Sequence, residues 1–320
     1  MNVKPLVSII IPVKNEERTI EKCLRSLQAL NYPTYEIIVV NDGSTDSTGE
    51  ILKNFPAVTV ITTEGIGPSA ARNLAIERST GEYLAFTDGD CIIHPEWLNE
   101  LLPHFTDETI MGVGGDQLCP EDEIPFGKDV HDFMKLISFS SDYLKTSTAV
   151  MKVKHNPTCN MMYRRKAFAI QEGFKKNLWP CEDLEFDYRL IRAGYTLIFT
   201  PHAIVYHYRP KSLSAFSRMH FRYGRAHAKM VQRYGFFQKI HFVPLILLFL
   251  ICLELYLLLN RPSPGIVLLL FCFASPLLLF LGKTKNFFKS LKYTGMLLVT
   301  IVSWTSGFVR GCADKSIWRE

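Results

Sequence analysis

Three long apolar segments in the last third of the chain constrain its fold more than any other feature. They run from 243 to 259, from 265 to 281 and from 293 to 309, and each has 17 residues. At ~1.5 Å per residue, a helix of this length spans ~26 Å, the short end of what crosses a bilayer. A soluble helical hairpin would show amphipathic faces, so we expect membrane helices instead.

Lysines predict the orientation of these segments. Lys283, Lys285, Lys289 and Lys292 lie between the second and third segments, whereas the first connection, 260–264, has one arginine. By the positive-inside rule the lysine-rich side is cytoplasmic. The N-terminal part then also lies in the cytoplasm, and the protein is integral to the cytoplasmic (inner) membrane. The third segment contains Thr, Ser, Trp and Gly, so both a spanning and a re-entrant helix remain open.

Charge divides the chain in the same way. Residues 1–187 carry a net charge of −10, residues 188–253 carry +10, and the rest carry +5. Such an uneven distribution of charge is not typical of a simple soluble monomer. An apolar fraction of 48% excludes a disordered chain. We expect four parts: an N-terminal domain over 1–210, a basic collar over 211–241, a membrane domain over 242–312 with two or three helices, and a tail over 313–320.

Before residue 210, strand patterns alternate with helical patterns. Val7–Val13 is a β-branched run typical of a strand buried on both faces, and a helical face follows from Ile20, with Asn15 as the expected N-cap. Further strands are expected over 36–40, 58–62 and 83–87, and a helix over 69–79. The alternation predicts an α/β fold with a doubly wound, mostly parallel sheet.

Acidic residues follow two of these strands. Asp42 ends one, and Asp88 and Asp90 directly follow another. Two carboxylates one residue apart can share a hard divalent cation with phosphate oxygens, although Asp and Gly also favour plain surface turns. Because ligands bind at the carboxyl ends of strands in such sheets, we favour a site and expect both groups, on neighbouring strands, to line one crevice.

Five sequence blocks resemble the family-2 inverting glycosyltransferases, which have the GT-A fold. The blocks are VSIIIPVKNEERTIEKCLRSL, EIIVVNDGSTDST, GPSAARNLAI, GEYLAFTDGDCIIHPEWL and WPCEDLEFDYRLIRAGY, in the order of the family. The resemblance covers roughly residues 5–210. It implies transfer of a sugar from a nucleotide-sugar donor, expected to be UDP-linked, with a divalent metal, Mn²⁺ or Mg²⁺, as cofactor.

The resemblance also implies a role for each matching residue. The residues at the nucleotide-sugar would be Pro12, Val13, Asn15, Glu16, Asp42, Arg72 and Asp88. Asp42 would accept a hydrogen bond from the base, and Arg72 would approach the diphosphate. The metal ligands would be Asp88, Asp90 and His207. Of the Glu182–Asp183 pair, Asp183 would be the general base.

Each of these residues also has a structural interpretation. Asp42 could cap the turn at 43–44, Arg72 could lie on a solvated helix face, and His207 could be a structural hydrogen bonder. For Asp183, the dipole of the helix that it opens would lower the pKa, whereas repulsion from neighbouring carboxylates would raise it. The sequence leaves these alternatives open.

The basic collar predicts a membrane partner. Arg218, Arg222, Arg225, Lys229 and Arg233 step by three or four residues, which places them on one ~80° face of a helix. A solvated face normally mixes signs, whereas cations alone suit anionic headgroups or a lipid-linked phosphate. Nucleic acid is the competing partner, and the adjacent membrane segment argues against it.

Together these observations predict a membrane-anchored, metal-dependent inverting glycosyltransferase. The acceptor would be a hydroxyl of a lipid-linked saccharide or glycolipid, because a base is needed only for a hydroxyl. Three alternatives remain: a polyprenyl-phosphate sugar transferase, a nucleotidyltransferase, and a catalytically silent membrane scaffold.

Overall fold

The computed structural model describes residues 4–137 and 147–315 of the chain. It divides into two compact units, Met1–Arg209 and Pro210–Glu320. The strands of the first unit are β1 (Val7–Val13), β2 (Tyr35–Asp42), β3 (Thr59–Thr63), β4 (Tyr83–Phe86), β5 (Cys91–Ile93), β6 (Ile110–Leu118), β7 (Met151–Val153), β8 (Met161–Arg164) and β9 (Thr196–His207). Its α-helices are α1 (Ile20–Gln28), α2 (Thr48–Leu52), α3 (Pro68–Arg78), α4 (Trp97–Leu101), α5 (Pro125–Ile137), α6 (Lys166–Gln171) and α7 (Glu182–Arg192).

Within the described residues, these strands form one sheet. Their order is β3-β2-β1-β4-β8-β6-β9-β5, and β7 also pairs with β9. The pairs of β1 with β2 and β4, of β2 with β3 and of β6 with β9 are parallel, and the remaining pairs are antiparallel. The predicted α/β fold is confirmed: the N-terminal half of the sheet is parallel as expected, and the later strands make the whole sheet mixed.

Helices cover both faces of this sheet. Alternate side chains of β1 enter two different cores, because successive residues of a strand point to opposite faces. Ile9 and Ile11 pack in the core that contains the buried side of α1, whereas Ile10 packs in the core that contains α3, α6 and α7. This arrangement leaves the carboxyl ends of the strands and their loops at one edge.

The expectation that Asn15 caps the first helix is wrong. The N-cap of α1 is Thr19, and Asn15 lies in the preceding loop with a positive φ of 59°. Asparagine tolerates this left-handed conformation better than most residues. Its side-chain oxygen accepts a hydrogen bond from the Thr45 amide at 2.8 Å, so Asn15 joins the loops after β1 and β2.

The second unit consists of long helices: α8 (Leu213–Tyr234), α9 (Val243–Asn260), α10 (Pro262–Thr284) and α11 (Phe287–Ala313). The described part of the chain has three helices long and apolar enough to cross a membrane, and they coincide with the three apolar segments. The third is continuous over 27 residues, because it extends the apolar segment in both directions.

Helix α8, which carries the basic collar, packs against α11 through glycines. A Cβ atom on Gly224 would lie 1.9 Å from the Trp304 carbonyl oxygen, and one on Gly307 would lie 2.0 Å from that of Phe221. Such close approach of backbones is possible only without side chains. On α8 the collar residues Arg218, Arg222, Arg225 and Arg233 are exposed and Lys229 is half-buried.

Candidate active site

The loops after β1, β2 and β4 meet at the carboxyl edge of the sheet. β1 lies between β2 and β4. Asp42 at the end of β2 and Asp88 after β4 are therefore separated by one strand, so the expectation of neighbouring strands is wrong. A Cβ on Gly89 would lie 2.9 Å from Val13 Cγ1 and 3.3 Å from Glu16 Cγ. The end of β1 and the loop after it therefore contact the acidic loop after β4. Pro12 precedes Val13 at this end of β1, and Asn15 precedes Glu16 in the loop.

Asp42 organises the segment between β3 and α3. Its carboxylate accepts hydrogen bonds from the Thr63 hydroxyl at 2.6 Å and from the amides of Ile66 and Gly67 at 2.7 and 2.8 Å. Burial opposes its ionisation, but these donors outweigh burial and hold the pKa of Asp42 below its usual range. The turn-cap role that the sequence left open for Asp42 belongs to Asn41, whose side-chain oxygen accepts from the Ser44 amide.

Arg72 connects the acidic loop to helix α7. One guanidinium nitrogen lies 2.8 Å from Asp88 Oδ1 and another lies 2.5 Å from Glu182 Oε1. Arg72 is buried, so the alternative of a solvated arginine on a helix face is wrong. Burial disfavours its charge, but the two carboxylates outweigh burial and keep the pKa of Arg72 above its usual value.

Helix α7 buries four carboxylates within its first six residues, and the structure gives each one donors. The Glu182 carboxylate contacts Arg72, and the Glu185 carboxylate pairs with Arg189 at 2.8 Å. The other two accept hydrogen bonds from outside the helix. The donors to Asp183 are the amide and hydroxyl of Thr158, and those to Asp187 are His155, Asn156 and Tyr163. Buried carboxylates are tolerated because these partners compensate their desolvation.

Burial is the dominant influence on the pKa of two carboxyls of this helix, Glu182 and Asp187. Burial is the largest cause that raises the pKa of Glu182 to about 7; repulsion from Asp183 adds to it and Arg72 opposes it. Burial also raises the pKa of Asp187, although His155 and Tyr163 act against it. A carboxyl group that titrates near neutral pH thus lies next to the expected base.

A potential metal site lies at the end of β9. Asp90, Cys91 and His207 each offer one ligand atom, and these atoms lie within 4.8 Å of one another. The His207 Nε2 atom is 3.4 Å from Asp90 Oδ1, and its Nδ1 atom is 3.1 Å from the side-chain oxygen of Gln117. Metal-bound histidines usually hydrogen-bond through their second ring nitrogen, and a proton on Nδ1 of His207 would leave Nε2 for coordination. The carboxylate and imidazole therefore fit a divalent cation.

The electrostatics of this group is set by its burial and by Arg209. Burial acts against the charge of Asp90, but His207 and Arg209 outweigh burial and hold the pKa of its carboxyl below the usual range. Burial and the Arg209 guanidinium oppose protonation of His207, yet the Asp90 carboxylate outweighs both and, with a contribution from Cys159, raises the pKa of this imidazole to about 10. A bound cation would replace the proton at Nε2.

Several functional neighbours were not found by sequence reasoning. Arg209 follows His207 by two residues, and this strand spacing could have placed both on one side. Asp187 follows Asp183 by one helical turn, which could have indicated a shared face. Gln117 depends on the register of β6 with β9, and no local pattern predicts that register.

The structure thus brings the predicted site residues to one edge of one unit. Arg72 contacts both Asp88 and Glu182, while Asp90 contacts His207. Asp42 ends β2, which is separated from β4 by β1, and Asp183 follows Glu182 at the start of α7. Asp42 offers carboxylate oxygens to a nucleobase, and Arg72 places a cation between two carboxylates. Asp90 and His207 form a metal-binding group, and Asp183 adds a further carboxyl. Displacement at a sugar diphosphate requires groups of these kinds.

Comparison with known proteins identifies the family of this chain. The family described as Glycosyl transferase family 2 matches residues 8–170. Glycosyltransferase AglE of Haloferax volcanii is 32% identical over 228 residues, which cover 69% of this chain and 72% of that protein. The Pre-mycofactocin glycosyltransferase of Mycobacterium tuberculosis is 30% identical over 207 residues, 63% of this chain and 42% of that longer protein.

A solved structure shows the same fold. Mannosyltransferase PcManGT from Pyrobaculum calidifontis, in complex with GDP-Man and Mn²⁺, superposes with a TM-score of 0.63 over 98% of this chain and 89% of that chain. The two sequences are 20% identical, so the likeness concerns the fold. It confirms the expected GT-A-like architecture. The chain belongs to glycosyl transferase family 2 and is a glycosyltransferase of the nucleotide-sugar-dependent kind.

Proposed function

We propose that this enzyme transfers a sugar from a nucleotide-sugar, with inversion and with a divalent metal, to a hydroxyl of a membrane-associated acceptor. The acceptor class is a lipid-linked saccharide or a glycolipid. The observation that carries the proposal is the buried contact of Arg72 with both Asp88 and Glu182. Through this contact the acidic loop on the donor side is joined to helix α7, which bears the proposed general base Asp183.

On the donor side, the chain offers contacts for each part of a nucleotide-sugar. Pro12, Val13, Asn15 and Glu16 lie in or after the end of β1, and Asp42 ends the neighbouring β2. In this proposal they hold the base and ribose. Asp88 contacts the ribose. Arg72 stabilises the negative charge that develops on the leaving diphosphate, because a buried guanidinium acts strongly in a low dielectric.

On the acceptor side, Asp183 removes the proton of the attacking hydroxyl. Thr158 and the Leu184 amide donate three hydrogen bonds to its two oxygens and hold them in place. A carboxylate has about four acceptor positions, so one remains for a hydroxyl proton. Asp90 and His207 would hold the metal ion, which supplies Lewis-acid stabilisation of the diphosphate when bound.

A panel of nucleotide-sugars tests the donor side without knowledge of the acceptor. The full chain in detergent is incubated with UDP- and GDP-linked sugars and Mn²⁺ or Mg²⁺, and release of nucleoside diphosphate is measured. We expect slow, metal-dependent hydrolysis of one donor. Release of pyrophosphate or of a nucleotide monophosphate would instead identify attack at phosphorus, as in a nucleotidyltransferase. No turnover of any donor would favour a silent scaffold.

The membrane side of the proposal rests on the second unit. The proposal divides the chain into a catalytic domain over residues 1–210, an interfacial collar over 211–241 and a membrane domain over 242–312. Lysines at the connection of α10 and α11 support a cytoplasmic position of that connection and of the catalytic domain in the inner membrane. Protease digestion of inverted and right-side-out membrane vesicles tests this, since the catalytic domain should be cleaved only in inverted vesicles.

The collar can be tested with a charge-matched control. Arg225 forms an ion pair with Asp314 at 2.6 Å, so its removal would also affect packing. We therefore replace Arg218, Arg222 and Arg233 by Gln together. Transfer to a lipid acceptor in anionic vesicles should fall about tenfold or more, since each cation near such a surface contributes ~1 kcal/mol. Donor hydrolysis should stay unchanged.

The control variant replaces three exposed cations of the first unit, Arg25, Lys53 and Arg78, by Gln, and it should transfer normally. The deficit of the collar variant should shrink as salt is raised, because salt screens surface charges. Equal losses in the two triple variants would remove the collar from acceptor recognition.

A further inference from the structure

A thiol lies among the atoms that could hold the metal. Cys91 and His207 are directly opposite each other in the antiparallel pair of β5 and β9, which places both side chains on one face. Cys91 Sγ is 3.9 Å from Asp90 Oδ1, and His207 Nε2 is 3.4 Å from the same oxygen. The three ligand atoms are thus separated by distances that one ion can span with small adjustments.

We propose that Cys91 is a metal ligand in this chain. Together with Asp90 and His207 it forms a carboxylate–thiolate–imidazole site that binds Zn²⁺ or Co²⁺ more tightly than Mn²⁺ or Mg²⁺. The inference rests on the proposed function in that it concerns the same metal site. Thiolate and imidazole select borderline-soft cations, whereas Mg²⁺ and Mn²⁺ favour oxygen ligands.

The number of ligands suits a catalytic metal. Catalytic zinc sites have three protein ligands and keep a fourth position open, whereas structural sites use four. Asp90, Cys91 and His207 would leave a position for a diphosphate oxygen. A carboxylate and a thiolate together carry two negative charges, which balance the two positive charges of the cation, and the imidazole is neutral. This balance lowers the cost of burying the ionised ligands.

Further polar side chains surround Cys91 and His207. Cys91 is buried and not disulfide-bonded, and its thiol is hydrogen-bonded to Cys159, which also contacts His207. The buried Arg209 guanidinium lies 3.2 Å from Gln117 Oε1 and 3.3 Å from His207 Nδ1. Gln117 and Arg209 thus lie beside Nδ1 of His207, where they fix the orientation of the imidazole. A bound cation would replace the proton of the Cys91 thiol, as it does for other coordinating thiols.

Cobalt is a direct probe, because a cobalt–thiolate bond has an ultraviolet charge-transfer absorption that oxygen and nitrogen ligands lack. Purified full-length protein in detergent is titrated with Co²⁺ alone. We expect one equivalent to produce this absorption. Zn²⁺ should then displace Co²⁺ at stoichiometric concentration, and Mn²⁺ only in large excess. Absence of the thiolate absorption in the wild-type protein overturns the proposal.

Single substitutions identify the sulfur. Cys91→Ser and Cys91→Ala should abolish the absorption and weaken Zn²⁺ binding by at least ~10²-fold, and the Ala variant retains the apolar character of the buried position. Cys159→Ser and the control Cys119→Ser should keep the absorption. Its loss in Cys159→Ser but not in Cys91→Ser would overturn the assignment. If neither Cys91 variant folds, His207→Gln should shift or remove the absorption of the intact thiol.

The result is separable from the proposed function. Donor hydrolysis without a cobalt–thiolate absorption would leave the glycosyltransferase proposal standing and reject Cys91 as a ligand. The absorption without hydrolysis of any donor would support the ligand and contradict the donor proposal.

Discussion

In the first unit charged side chains lie inside, whereas in the second unit large apolar side chains lie outside. Arg72, Glu182 and Glu185 are exposed by at most 3%. Leu259 and Phe288 are exposed by 82% and 80%. Each arrangement would be unfavourable in the other unit, since buried charges need partners and exposed apolar surface needs a solvent other than water.

The difference shows what each unit has to interact with. In the first unit the buried charges are concentrated at one edge of the sheet, which indicates a site for a charged ligand. In the second unit the outward apolar side chains lie on helices long enough for a bilayer. Helix α8 has neither property, because its cations are exposed and Gly224 lies on the side that packs against α11.

The largest expected effect tests whether the buried charges form a metal site. Asp90→Asn should abolish transfer and metal-dependent nucleotide binding, because it removes a ligand charge. The free energy of unfolding should change by only ~1 kcal/mol or less, since the side chain lies on a partly exposed loop. Activity assays with and without chelator, with chemical unfolding as the control, check this. Wild-type activity that survives chelation would remove the metal from the mechanism.

The next effect tests whether Asp183 acts chemically or only structurally. Asp183→Asn is nearly isosteric and keeps an acceptor for Thr158, so donor affinity should be almost unchanged. Turnover with a hydroxyl acceptor should fall by ~10²–10⁴, the usual contribution of a positioned base. Steady-state kinetics with separate donor titration measures both. Normal turnover would indicate a phosphate acceptor, as for a polyprenyl-phosphate sugar transferase.

The comparison also explains what could be predicted from sequence. β1 and the three apolar segments are visible locally, because a continuous β-branched or apolar run has one dominant environment. The acidic residues after strands could be placed at one edge because parallel topology fixes where strands end. The antiparallel strands β5, β7 and β8 could not be placed, since their pairing depends on contacts distant in sequence.

Within the site, residue types were predicted better than their partners. Asp90 and His207 were expected together through the family resemblance, and the structure places them in contact. The Arg72–Glu182 pair was not expected, because it joins residues 110 positions apart. Asn15 was misassigned because capping and left-handed turns favour the same residue type.

The third effect tests the packing of the second unit. Gly307→Ala puts a methyl group against the α8 backbone, which cannot move as a side chain would, so we expect a loss of ~1–3 kcal/mol in stability. Gly295→Ala on the same helix meets no atom within 4 Å and should gain up to ~1 kcal/mol from helix propensity. Thermal unfolding of the protein in detergent compares the two. Equal shifts would contradict the α8–α11 contact.

The smallest effect tests how the buried charges respond to pH. The pKa of Glu182 is raised to about 7, chiefly by burial. Below this pH the carboxyl is protonated, so the positive charge of Arg72 is no longer compensated by Glu182 and attracts a diphosphate more strongly. Affinity for the intact nucleotide-sugar, whose diphosphate does not titrate in this range, should therefore rise a few-fold as pH falls from about 8 to about 6.

Glu182→Gln fixes the neutral form, so its affinity should match that of the wild type at low pH and vary less across this range. Calorimetric titrations at several pH values measure the donor affinity of both proteins. Both share the same metal ligands, so any titration of those ligands cancels in the difference between the two affinities. Parallel pH profiles would mean that the Glu182 carboxyl keeps one protonation state throughout. The Arg72 bridge would then contribute a constant charge to the donor side, and donor affinity would not depend on Glu182 anywhere between about pH 6 and about pH 8.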